Sequence, residues 1–332
     1  MPSAIDTPSP QRPAADSSKR SAHVAGLVGV VPAPGATPQS LGPFFLLAAR
    51  APRLTRLLGP LIVPLVAAFA PGVRRSTRLN ASRIYRRPLS PSAQRAFTRQ
   101  VLASFYSFIT DMALVSRQGR APHLAQTLVG SVSGEREYRA ARARRCGAVL
   151  VTAHIGSFEA GLIALRSVEA AVHVVFKRDH SGPFERMRVS LRRALCVHEA
   201  AIDDGLGTWL ALRDALLRDE VVVMQGDRAV PGQQSATVPF LGGSLRIPTG
   251  PVRLARLTSS PIVPVFAIRR ADGKHDILLG TPIEPGQSSP VAQPGQIDHT
   301  VLAVARAIEA VVARYPHQWL VLDTAFEEDR VA

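Results

Sequence analysis

Apolar residues fall in two rhythms along this chain. Between residues 41 and 120 they recur every three or four positions, which marks one face of a helix. In SPSAQRAFTRQVLASFYSFITDMAL the stripe is Phe97, Val101, Phe105 and Phe108, opened by Ser90 and Ser92 as caps with Pro91 in the first turn. From about residue 130 short apolar runs alternate with amphipathic ones. AVLVTA, VHVVF, EVVVMQG and PIVPVFAIRR read as strands, and GTWLALRDALLRD and HTVLAVARAIEAVVARY as helices. The alternation predicts an α/β fold, a central mixed sheet flanked by helices over residues 131–325, preceded by a helical part over 41–130. Residues 1–40, rich in Pro, Ser and Ala, lack the apolar content for a core and read as a disordered tail.

One run breaks both rhythms. LLGPLIVPLVAAFAPGV, Leu57–Val73, is seventeen residues without a charge. A spanning helix needs about 18 to 20, and Pro60, Pro64 and Pro71 interrupt this one. Arg50, Arg53 and Arg56 precede it, and Arg74, Arg75 and Arg78 follow. Basic flanks around an apolar centre suit a helix lying in a membrane interface, its arginines on lipid phosphates. The expectation is a basic, amphipathic membrane-associating region at residues 41–130, monotopic or single-anchor, on anionic lipids.

Charge strengthens that reading. The formal net charge is +15, but residues 1–150 hold 21 Lys/Arg against 5 Asp/Glu, and residues 151–332 hold 19 against 20. Eleven arginines between Arg50 and Arg99 meet no acid at all. Such a run attracts a polyanion, either a lipid surface or an acidic protein. Nucleic acid is not expected, because aromatics make up only 5% and no nucleic-acid motif appears.

Two cysteines, Cys146 and Cys196, make no disulfide framework and no Cys-rich zinc site. No G-x-x-x-x-G-K-[ST] loop occurs, and Gly205 and Gly207 lack the third glycine of a dinucleotide fingerprint. HEAAI at His198–Ile202 lacks the second histidine of a zinc protease, and no G-x-S-x-G elbow is present.

The candidate chemistry lies in HIGSFE. His154 follows the apolar run Ala148–Ala153, and Glu159 comes five positions later. On a straight helix the two would point about 140° apart, so the spacing asks for a junction. Gly156 allows a tight turn, Ser157 caps a helix starting near Phe158, and Glu159 falls in its first turn, with His154 folded back toward it. Ligands bind at such strand ends in open α/β sheets. A histidine paired with a carboxylate suits proton abstraction from a hydroxyl, the carboxylate fixing the tautomer and steadying the imidazolium.

HIGSFE resembles the H-x-x-x-x-[DE] motif of the lysophospholipid and glycerolipid acyltransferases. Its H-x-G form with glutamate is similar to the late lipid A biosynthesis acyltransferases, the lauroyl and myristoyl transferase family. The order continues through Gln225–Arg270: an acid-containing turn after a strand, a P-F-x-G element, a T-G-P helix start and a strand with an internal proline. YPHQWL, Tyr315–Leu320, is similar to that family's C-terminal P-x-Q-W signature, and RRSTRLNASRIY to its N-terminal basic helix. The family commonly has Asn-Trp where Ser157 and Phe158 stand, and Asp-Gln-Asp where Gln225, Gly226 and Asp227 stand.

The resemblance implies a membrane-associated O-acyltransferase on the cytoplasmic face of the inner membrane. It would move a fatty acyl chain from acyl carrier protein or acyl-coenzyme A to a hydroxyl of a lipid or glycolipid. His154 is then the general base and Glu159 its partner, with oxyanion donors near Gly156 or at the Gly242-Gly243 turn. Arg178 and Arg186 are candidates for phosphate, Asp227 and Arg228 for the same sheet edge, and Phe240, Gly242, Thr249 and Gly250 for the acyl groove or its turns. The thioester is a co-substrate, and neither metal nor bound cofactor is expected. Two other readings use the same fold: a catalytically silent lipid-binding protein, and a thioesterase or lipase whose base activates water.

Overall fold

The computed structural model describes residues 47–48, 50–118, 121–177, 182–230, 232–286 and 297–330; the expected tail over 1–40 lies outside them. In chain order the strands are β1 (Val129–Ser133), β2 (Ala148–Thr152), β3 (Val172–Phe176), β4 (His198–Ala201), β5 (Val221–Gln225), β6 (Ser235–Phe240), β7 (Gly243–Pro248), β8 (Ile262–Arg269) and β9 (His275–Leu279). Seven of them form a mixed sheet in the order β1-β9-β8-β2-β5-β3-β4, and β6 and β7 make a separate hairpin. From β8 to β4 all neighbours run parallel, so their carboxyl ends share one edge. β9 turns back against β8, and β1 follows β9. The sheet is mixed and flanked by helices, as the hydrophobic rhythm predicts.

The helices are α1 (Pro52–Phe69), α2 (Pro71–Ile84), α3 (Pro91–Gln118), α4 (Ala121–Leu128), α5 (Glu135–Arg142), α6 (Phe158–Arg166), α7 (Gly182–Ala194), α8 (Leu206–Leu217), α9 (Gly250–Thr258) and α10 (His299–Arg314). They bury the sheet on both faces. All five residues of β2 are buried, and they divide by the strand's period of two. Val149 and Val151 join a core with α2, α8, α9 and α10, while Ala148 and Leu150 join one with α4, α5, α6 and α7. The α3 stripe serves both: Phe97 and Val101 enter the first core, and Phe105 and Phe108 pack against the second.

Residues before 130 therefore share a core with the sheet that follows. Ala81 and Ile84 of α2 lie with Val149 and Val151, and buried Asn80 donates to the carbonyls of Val321 and Asp323 and accepts from the Ala325 N–H. This asparagine fastens a C-terminal strap, residues 315–325, across the molecule.

α1 runs through Pro60 and Pro64, and the break comes at Ala70, where α1 and α2 meet at 93°. The Arg74 guanidinium donates to the Ala67 carbonyl at 2.7 Å, supplying a donor to the end of α1. One face of α1 packs on α3: Gly59 lies against the Tyr106 ring, whose hydroxyl donates to the Thr55 carbonyl at 2.6 Å. The opposite face presents Leu54, Leu57, Leu61, Leu65 and Phe69, from 46% to 80% exposed. Among the described residues no single helix is long and apolar enough to cross a membrane, though the bent pair meets the length and composition when taken together.

Candidate active site

The HIGSFE junction follows from steric and hydrogen-bond demands. Ile155 is buried and bridges to Trp319 of the strap. Gly156 has φ +62, and a Cβ there would lie 1.9 Å from the Ala267 carbonyl oxygen, so only glycine fits. Ser157 then caps α6, its hydroxyl accepting the Ala160 N–H at 3.3 Å. Phe158 packs against the second core. Ser157 and Phe158 are thus both engaged in starting α6.

Strand register brings the histidine to a partner. Thr152 of β2 lies opposite Gln225 of β5, so His154 and Asp227, each two residues further, arrive side by side. Gly226 permits the approach: its N–H donates to the Thr152 carbonyl at 2.8 Å, and a Cβ would sit 2.5 Å from Val151 Cγ1. His154 Nδ1 is 2.8 Å from Asp227 Oδ1, and the His154 backbone N–H donates to Oδ2 at 3.1 Å. Trp319 Nε1–H donates to the same Oδ2 at 2.9 Å. The strap therefore supplies part of the site.

Asp227 is fully buried, whereas the His154 side chain is 33% exposed. Burial alone would raise the Asp227 carboxyl, but the neighbouring His154 and the donors from its ring, from Trp319 and from the His154 backbone together hold it below the usual range. An ionised carboxylate only accepts hydrogen bonds, so in the neutral imidazole Nδ1 carries the proton and Nε2 the lone pair. The arrangement leaves a basic nitrogen with its tautomer fixed at the carboxyl edge of the sheet.

Glu159 lies elsewhere. It falls in the first turn of α6, as the spacing predicts, but no hydrogen bond or ion pair joins it to His154. Only 5% exposed, it has an Oε2 without a hydrogen-bond partner among the described residues. Burial pushes its carboxyl up to about 7; the local backbone N–H, Arg188 and Arg192 oppose the rise, and Asp111 adds to it. Asp111 is itself buried, paired with Arg269, 3.5 Å from Arg56 and 3.4 Å from His275. This network escaped the sequence reading, since its members come from α1, α3, β8 and β9.

The other expected residues scatter around this centre. Arg228 lies 3.6 Å from Asp323 of the strap. Phe240 is buried in the core with its ring 5.9 Å from Trp319 and 6.3 Å from Phe326. Gly242 donates to the Arg83 carbonyl, the Thr249 hydroxyl donates to the Gln234 carbonyl, and Gly250 packs against Trp209 near Met224. Both suggested oxyanion turns spend N–H groups inside the protein: Gly156 on Gln318 and Gly242 on Arg83. Arg178 and the side chain of Arg186 lie outside the described residues.

Gln318 and Trp319 had a motif in the sequence but no role. Gln318 clamps the edge of β8, accepting the Arg269 N–H at 2.9 Å and donating to its carbonyl at 3.0 Å. A tryptophan opening the apolar run that continues through Leu320, Val321 and Leu322 was the available signal, because a buried indole N–H needs an acceptor. Among the described residues no group of three or more His, Cys, Asp or Glu side chains is placed to hold a metal ion.

The model of the family described as bacterial lipid A biosynthesis acyltransferase matches residues 41–328. That span takes in the α1–α2 pair, the sheet and the strap. No curated protein matches the chain.

Proposed function

From a chain that belongs to the bacterial lipid A biosynthesis acyltransferase family, and is thus an acyltransferase, we infer the following reaction. His154 acts as general base for transfer of a fatty acyl chain from a thioester to a hydroxyl of a membrane lipid or glycolipid. Nε2 takes the proton from the acceptor hydroxyl as its oxygen attacks the thioester carbonyl carbon. The tetrahedral intermediate then collapses, the C–S bond breaks, and the imidazolium returns its proton to the departing sulfur. The products are an ester and a thiol.

The observation that carries this reading is the His154–Asp227 contact at 2.8 Å, with the buried carboxylate fixing the tautomer. Asp227 takes the partner's part that the spacing had given to Glu159. His154→Ala protein in membranes should fold and lose transfer of a radiolabelled acyl chain from acyl carrier protein or coenzyme A to a bacterial lipid extract. Full activity in that variant would overturn the mechanism, and acyl release without an acceptor would point to a thioesterase instead.

The exposed apolar face of α1 supports a seat on a lipid surface, and we propose the cytoplasmic leaflet of the inner membrane for it. Leu57, Leu61, Leu65 and Phe69 enter the acyl boundary, and exposed Arg50, Arg53, Arg75 and Arg78 meet anionic headgroups. The same basic surface suits an acidic carrier protein as the donor.

A further inference from the structure

The site contains a group whose position has no use in the transfer step itself. The indole of Trp319, 2% exposed, donates to Asp227 Oδ2 at 2.9 Å, the oxygen that also accepts the His154 backbone N–H. Among the described residues the second carboxylate oxygen is thereby left to the imidazole alone. The indole is itself immobilised. Its ring meets Phe326 edge-on at 6.2 Å and Phe240 at 5.9 Å, and on either side the Leu320 N–H donates to the His154 carbonyl at 2.6 Å while the Gln318 carbonyl accepts the Gly156 N–H at 3.0 Å.

We propose that Trp319 is a positioning residue for the base, acting through Asp227. Its N–H takes up the charge on one carboxylate oxygen and fixes the plane of the group, so that the other oxygen aims Nδ1–H and turns Nε2 toward the acceptor. The inference rests on His154 being the base. A hydrogen bond to a buried carboxylate is stronger than one between neutral groups, and its loss leaves the His154 backbone N–H as the one donor to Oδ2 among the described residues, a looser hold on the group. Among the described residues the charged group against Asp227 is His154; Arg228, next along the chain, lies 3.6 Å from Asp323 of the strap.

The decisive comparison is a double-mutant cycle on the full chain in membranes, using Trp319→Phe, Asp227→Asn and the two together. Trp319→Phe should lower acyl transfer about ten- to a hundredfold with little change in KM. Added to Asp227→Asn, it should cost almost nothing further. A packing defect would instead multiply with the Asp227→Asn loss, and that result would overturn the proposal.

Carbethoxylation by diethyl pyrocarbonate, followed on the His154 peptide by mass spectrometry, gives a readout that needs no acyl acceptor. With one donor gone the carboxylate holds the imidazolium more strongly, so the reaction of the His154–Asp227 pair should reach half its plateau at a higher pH. An unmoved midpoint would also overturn the proposal. If Trp319→Phe does not fold, a benzothienylalanine at that position keeps the bicyclic ring without the N–H and carries the same expectations. His154→Ala separates the two readings: full activity there removes the base, whereas an inactive His154→Ala beside a normal Trp319→Phe removes only the positioning.

Discussion

Two carboxylates compete for the role of partner to His154, and their surroundings distinguish them. Asp227 is held ionised by three donors, whereas Glu159 is pushed toward neutrality by burial. Asp227→Asn should therefore lower transfer by about 10² to 10⁴, because an amide that donates favours the wrong tautomer. Glu159→Gln, an isosteric change with no link to the ring, should cost less than about tenfold in the same assay. Its clearer effect is on stability. An acid whose folded pKa lies above its unfolded value binds more protons when folded, so its burial destabilises progressively as pH rises from about 4.5 to about 7. The glutamine variant escapes that cost, and denaturant unfolding should find it more stable than the native protein by roughly 3 kcal/mol at pH 8, with the difference vanishing near pH 4. The residues were legible unequally. His154 announced itself at a strand end, while its partner could be identified only once β2 and β5 were known to be neighbours in register.

Elements explain why one junction holds these groups. β2 was readable because a strand buried on both faces is an unbroken apolar run, and α6 because Ser157 caps it. Gly156 was readable only as a turn; that it lies against the Ala267 carbonyl follows from β8 being the other neighbour of β2. Gly156→Ala should therefore displace the junction, lowering the unfolding midpoint by several degrees in a thermal melt and abolishing transfer. α1 shows the opposite limit. Pro60 and Pro64 suggested interruptions, yet the helix runs through both; it breaks at Ala70, where Pro71 starts the next helix as the third expected interruption, with Arg74 supplying a donor to its last turn. Leu57→Glu with Leu61→Glu places two charges on the exposed face and spares the face that packs on α3. That variant should stay folded and move from the membrane pellet to the supernatant on fractionation.

For the whole molecule, charge is unevenly placed although the core is shared. The basic excess lies before residue 150, and the His154–Asp227 pair at the carboxyl edge of the sheet lies after it. Docking on an anionic surface by arginines is screened by salt, the Debye length falling from about 8 Å at 0.15 M to about 3 Å at 1 M. Binding to vesicles of anionic lipid should weaken over that range and lose less where the apolar face of α1 is intact than in the two-glutamate variant. The mixed sheet was legible in the alternation of strands and helices, but its order was not, since sequence rhythm does not tell which strands are neighbours.

The strap across the sheet edge also imposes an order in time. Both halves of the base pair, at 154 and 227, leave the ribosome well before Trp319 and before residues 321–325, which Asn80 fastens. Domains begin to fold while synthesis continues, so a nascent chain acquires its sheet first. The indole that donates to the carboxylate arrives late, and on the proposed mechanism a half-made enzyme holds its chemistry in reserve until that segment is laid down.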